Sequence, residues 1–169
     1  LSGIGNVQSA RGELRPALAT YSQMLALAER TGIRLQQASA HNNLCRVQMS
    51  LGELANAAEH CQLGLQLAEA EQNQKMIAGT LSNLGIIARQ RGEYEQALAY
   101  YRRSLALAEA LGDKALTGRL LNNLGVAARA MGNETAALRY YTQSLAVAEA
   151  AGNQAGVAGT LGNISMVHR

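Results

Sequence analysis

The chain has 169 residues, of which 48% are apolar, yet Phe and Trp are absent and aromatics reach only 4%. A core of this size must come from Leu, Ala and six Tyr, a mixture that suits close-packed helices, because Ala lets backbones approach and has the highest helix propensity. The net charge of +3 is spread among alternating Lys, Arg and Glu, without the dense basic stripe of a nucleic-acid binder, and no apolar run approaches the roughly 18 residues of a membrane span.

Helical periodicity and glycine punctuation divide the chain in order. A first short helix is expected over 1–11, closed by Gly12. A second runs over 14–31, with Pro16 in its first turn, where a missing N–H costs little, and Gly32 at its end. Helices follow at 35–50, closed by Gly52, and at 54–71, closed by Gln72-Asn73. The next pair is 75–90 with Gly92 and 94–111 with Gly112; the next is 115–130 with Gly132 and 134–151 with Gly152. A last helix covers 155–169. Glycine recurs after these helices because a left-handed cap requires it.

The pairs repeat at a period of 40 residues. Leu81-Ser82-Asn83-Leu84-Gly85 returns as Leu121-Asn122-Asn123-Leu124-Gly125, and residues 81–112 match 121–152 at 18 of 32 positions without a gap. Weaker copies begin at Leu1, His41 and Leu161. The units are 1–32, 33–72, 73–112, 113–152 and a partial 153–169, read as one domain cut from a longer stack. In the second helix of each unit, Ala97, Tyr101, Leu105 and Ala108 keep spacings of four, four and three, which hold them on one stripe. Their copies are Ala17, Tyr21, Leu25 and Ala28; Ala57, Cys61, Leu65 and Ala68; and Ala137, Tyr141, Leu145 and Ala148. Gly5, Gly85 and Gly125 in the first helices are expected to make room for the rings of Tyr21, Tyr101 and Tyr141. Unit two carries Cys45 and Cys61 in these two columns, so the thiols are expected to touch as reduced, buried core groups.

The residues Leu84-Gly85, Gly92, Ala97, Tyr101 and their copies resemble the tetratricopeptide repeat family, over essentially the whole chain. Each unit is longer than the usual 34 residues, and Glu29, Glu69, Glu109 and Glu149 stand where a closing Pro is common. The resemblance implies an all-α fold, a right-handed α-solenoid of antiparallel helix pairs, with the first helix of each pair lining a concave, peptide-binding face. It also implies a protein-binding module without catalytic residues or cofactors. Rotating 100° per residue from the core positions turns 79, 82, 86 and 89, with 119, 122, 126 and 129, toward that face. Asn43, Asn83, Asn123 and Asn163 form a ladder along its margin, beside Arg46, Arg89, Arg119, Arg129 and Arg169. Asn offers a donor and an acceptor to a peptide backbone, and Arg pairs bidentately with carboxylates, so the expected partner is a peptide or protein segment of acidic character. In related adaptors a gripping Asn follows the Gly; here that column reads Asn6, Arg46, Ile86, Val126 and Met166, so Ile86 and Val126 would give an apolar floor.

His41, His60 and His168 fall on different helices without ligand spacing, so no metal site is expected. Neither a phosphate-binding loop nor a paired acid–base set is visible. Two further readings stand beside the interaction module. One is a regulatory sensor arm of a larger signalling ATPase or transcription regulator. The other is self-assembly, by a homodimer or end-to-end stacking, because Leu161, Ile164 and Val167 lack a covering helix. A cytoplasmic location, without membrane or nucleic-acid partners, is the expectation.

Overall fold

A computed structural model describes residues 1–167; His168 and Arg169 lie outside the described residues. The described residues form nine helices: α1 Ser2–Ala10, α2 Leu14–Thr31, α3 Arg34–Ser50, α4 Leu54–Ala70, α5 Gln74–Gln90, α6 Tyr94–Ala110, α7 Lys114–Ala130, α8 Glu134–Ala150 and α9 Gln154–Ser165. These are the helices read from the sequence, shifted by a residue or two. The exception is the last, which stops at Ser165 rather than running on to 169. None of them is long and apolar enough to cross a membrane.

Helix ends follow their local chemistry. Gly12, Gly32, Gly52, Gly92, Gly112, Gly132 and Gly152 all adopt positive φ. At Gly92 the following Glu93 N–H reaches back to the Ala88 carbonyl at 2.9 Å, closing the helix with the six-to-one bond that only a left-handed residue allows. Gln72 takes this conformation at φ 52° where glycine is missing. The starts of α5, α7, α8 and α9 are capped by Asn73, Asp113, Asn133 and Asn153, whose side chains accept from backbone N–H groups three residues on.

The chain divides into two compact units, residues 1–87 and residues from 88 onward. In the first, α2 packs on α1 and α3, and α3 on α4. Ala17, Tyr21, Leu44 and Val47 form a core there, with Leu14, Leu18, Met24, Leu25 and Leu51 around them. The ring of Tyr21 lies against Gly5: a Cβ on that glycine would stand 2.5 Å from Tyr21 Cε1. In the second unit α7 packs on α6 and α8, and α8 on α9. Ala128, Ala137 and Tyr141 form a core with Val126, Ala136, Tyr140, Ile164 and Val167 packed against it. Gly125 meets Tyr141 as closely as Gly5 meets Tyr21. The pairing of a glycine with a ring, read from two columns of the repeat, therefore holds in both units. Ile164 and Val167, expected to lack cover, lean on the Tyr141 core, whereas Leu161 is 49% exposed.

The contact between the two columns takes a different form in α3 and α4. Cys45 and Cys61 have Cα atoms 5.3 Å apart and are joined as a disulfide. This corrects the expectation of reduced thiols. The columns touch as the repeat demands, and two thiols replacing a glycine and a ring come within the roughly 4.4–6.8 Å that a disulfide spans.

Candidate functional site

Of the ten residues proposed from sequence for the groove, Asn43 and Asn83 belong to the first unit's part of the Asn ladder and the other eight fall into three settings. Arg119, Asn123 and Asn163 meet on one cleft of the second unit, of about 490 Å³. Lys114, Asn122 and Gly118 of α7, Ser144 and Val147 of α8, and Gly156, Gly159 and Thr160 of α9 complete its walls. The space exists because α9 is built small. Gly156 stands in the column that holds buried Leu116 one unit earlier, and nothing lies within 4 Å of a Cβ placed on Gly159. The floor is polar but satisfied: Ser144 Oγ donates to the Gly118 carbonyl at 2.8 Å and lies 3.4 Å from Thr160 Oγ1. Lys114 and Arg119 are exposed, and no carboxylate lines the cleft.

The Asn ladder is tied from helix to helix. Asn163 Nδ2 donates to Asn122 Oδ1 at 2.8 Å, joining α9 to α7. In the first unit Asn83 Nδ2 donates to Asn42 Oδ1 at 3.0 Å, joining α5 to α3. Each bond spans 41 residues, one more than the repeat, so the acceptor is the Asn preceding the expected column. Asn42 and Asn122 are thus the residues that the ladder reading missed, although both carry Asn-Asn in the sequence as the signal. Asn43 and Asn123 are half-buried, as are Asn83 and Asn163.

Arg89 and Arg129 occupy a second setting. Both Nε atoms are buried without a hydrogen-bond partner among the described residues, and so are the hydroxyls of Tyr101 and Tyr141. Burial pushes both phenols above their ordinary pKa, and the nearby guanidinium groups of Arg89 and Arg129 draw them part of the way back. The arrangement has a local cause. In the first unit Tyr21 donates to Asn6 Oδ1 at 2.7 Å, whereas the repeat column of Asn6 goes on as Ile86 and Val126, side chains that accept nothing. The Arg three residues farther along brings its guanidinium to the phenol instead. Val126 packs on the Tyr141 core and Ile86 is half-buried. Arg46, in the third setting, is exposed and lies close enough to Tyr21 to oppose the burial that raises its pKa. Arg169 lies outside the described residues.

One cluster was not foreseen. His41 of α3 and His60 of α4 face one another with Nδ1 atoms 2.8 Å apart. His41 is buried and His60 half-buried. Burial lowers both pKa values; for His41 the neighbouring His60 lowers it further, while Glu29 and Glu59 oppose the shift. The two residues are 19 apart, across a turn between helices, so no spacing rule within one helix signals them.

Antiparallel helix pairs repeated along the chain define the α-solenoid class. Residues 76–150, a little under half of the chain, match the tetratricopeptide repeat model. Such repeats are typically interaction scaffolds rather than enzymes. The fold is similar to that of aspartyl phosphate phosphatase F from Bacillus subtilis, with a TM-score of 0.91 and 17% identity. The match covers 98% of this chain and 43% of the phosphatase, so the chain spans less than half of that protein's length. BtubC from P. vanneervenii is similar with a TM-score of 0.77 and 20% identity, over 99% of this chain and 78% of that one. The apo form of RapI gives 0.82 and 16%, over 96% of this chain and 45% of that one. No curated protein matches the sequence.

Proposed function

We propose that this protein binds an extended peptide or protein segment of acidic character in the cleft between α7, α8 and α9. The observation that carries the reading is the lining: Asn122, Asn123, Asn163, Lys114 and Arg119 converge on one cleft that has no carboxylate. Cations at the rim attract carboxylates, and the Asn amides offer both donors and acceptors to a peptide backbone. Small residues on α9 leave the width for a backbone. Arg89, Arg129 and Val126 of the same unit support it from beside Tyr101 and Tyr141. The reading assigns no reaction and no cofactor to the chain.

Fluorescence anisotropy with matched acidic, neutral and basic peptides tests this. The acidic set binds best, and more weakly as salt rises. The variant Lys114→Glu with Arg119→Glu loses roughly tenfold or more in affinity while its helicity stays that of the wild type. Equal binding of acidic and basic peptides, or wild-type affinity in the variant, removes the reading. A second reading, association between copies, is favoured by exposed apolar residues: Leu161 (49%) on α9 and Met166 (47%) just after it, and Ile4 (57%) and Val7 (52%) on α1. Light scattering over a concentration series separates it: a constant monomer mass excludes self-association.

A further inference from the structure

We propose that His41 and His60 form a two-histidine chelate for a divalent transition cation of the zinc and nickel type, bridging α3 and α4. The first ground is geometry. The two Nδ1 atoms stand 2.8 Å apart and the ring centres 5.1 Å apart. With metal–nitrogen bonds of about 2.0–2.1 Å, two imidazoles at a tetrahedral angle hold their ring centres roughly 5.2 Å apart. The ring centres are therefore already at chelate spacing, while the nitrogens, joined by a hydrogen bond at 2.8 Å, must part to roughly 3.3 Å as the ion replaces that bond. A pivot of each about its own centre, along the broad torsion joining imidazole to Cβ, turns both lone pairs onto one ion.

The second ground is how this unit departs from its own copies. The column of His41 is Leu1, Leu81, Leu121 and Leu161 elsewhere, and that of His60 is Thr20, Tyr100 and Tyr140. Gly64 replaces Ser104 and Ser144, and a Cβ at Gly64 would meet His41 Cβ at 3.3 Å. These changes lie together at one helix contact. They set an imidazole where an apolar side chain would pack and clear the space beside it. A buried imidazole costs desolvation that a leucine does not; without an ion, the hydrogen bond between His41 and His60 recovers part of that cost.

The third ground is the scaffold. The Cys45–Cys61 disulfide crosslinks the same two helices. His60 precedes Cys61 directly, and His41 lies one turn before Cys45. The bond thus holds the two rings at their spacing before any ion arrives, which reduces the ordering needed on binding. Burial keeps both imidazoles below their ordinary pKa, which favours the uncharged form that ligates; the ring that donates its Nδ1–H in the hydrogen bond shifts that proton to Nε2 when the ion binds. Imidazole nitrogen suits zinc, nickel and copper. No group of three or more His, Cys, Asp or Glu suited to a metal occurs among the described residues. Water would complete the coordination, and the half-buried His60 leaves a path for it. Such an ion would clamp α3 to α4, stabilising the folded state by mass action.

The test is isothermal titration of the full chain with zinc chloride and with nickel chloride, with the disulfide intact and no reductant present. One ion per chain is expected. His41→Gln and His60→Gln should each lower the affinity about tenfold or more, since each leaves a single ligand, and His168→Gln should leave it unchanged. The imidazole nitrogen resonances of the wild type provide a readout that needs no variant: both Nδ1 signals should shift together on adding zinc. Wild-type binding in either Gln variant, or Nδ1 signals of His41 and His60 that stay in place at saturating zinc, would overturn the proposal.

Discussion

The tight approach of a glycine to a tyrosine ring gives the sharpest stability prediction. In Gly125→Ala, the new methyl meets Tyr141 Cε1 and Cδ1, which no real Cβ contact tolerates. Tyr141 is 0% exposed and packed among Ala128 and Ala137, so the ring has nowhere to pivot. Overpacking of this kind costs about 1–3 kcal/mol, and the upper half applies because the neighbour is rigid. Replacing a mid-helix glycine by alanine returns about 1 kcal/mol of helix propensity. The net loss is then about 1–2 kcal/mol, or about 2–8 °C in the melting midpoint of a domain this size. Gly159→Ala is the control. It sits mid-helix, with nothing within 4 Å of its Cβ, so only the propensity gain remains and the variant should be as stable as wild type or up to about 1 kcal/mol more so. Urea and thermal unfolding followed by circular dichroism measure both. Combining Gly125→Ala with Tyr141→Leu should cost less than the sum of the two single changes, because the smaller side chain vacates the space the methyl needs. A Gly125→Ala protein at or above wild-type stability, with no coupling to Tyr141, would refute the contact and the column pairing built on it.

Thiol titration should find no reactive thiol in native or denatured protein before reduction. Because the Cys45–Cys61 bond closes a loop of 16 residues, reduction should lower stability by about 3 kcal/mol; two thiols titrating in unreduced protein would contradict the bond. Asn163→Ala should cost about 0.5–1.5 kcal/mol by leaving Asn122 without its donor, and an unchanged unfolding midpoint would show that this rung holds nothing together. Alkaline titration should show Tyr101 and Tyr141 ionising above the usual phenol range. Since their folded pKa values are raised, the stability they add is complete below about pH 10 and is lost as pH rises through the folded values. Tyr101→Phe with Tyr141→Phe should flatten that alkaline loss, and a variant with the wild-type alkaline profile would argue against it.

The positions of the helices were legible in the sequence because everything that sets them is local. A glycine after each turn needs no distant partner to adopt positive φ, and the apolar stripe of each helix follows from 3.6 residues per turn. The repeat adds a further kind of information: columns 40 residues apart share an environment, so Gly5 with Tyr21 and Gly125 with Tyr141 could be paired before any coordinates. The same logic placed Cys45 beside Cys61, but their oxidation state depends on a sulfur–sulfur approach that a column cannot give. The groove was less legible. A helix turns 100° per residue, so one step separates Asn122, which bonds across to α9, from Asn123. A long side chain such as Arg129 also bends toward whatever its tip can reach. Whether that tip faces solvent or Tyr141 was decided by Val126, an apolar residue standing where Asn6 satisfies the ring in the first unit. The cleft itself depends on what α9 lacks, and the meeting of His41 with His60 depends on the rotation and spacing of two packed helices. Those are set to within a fraction of an ångström by side-chain packing between helices, and no pattern along a single helix records them.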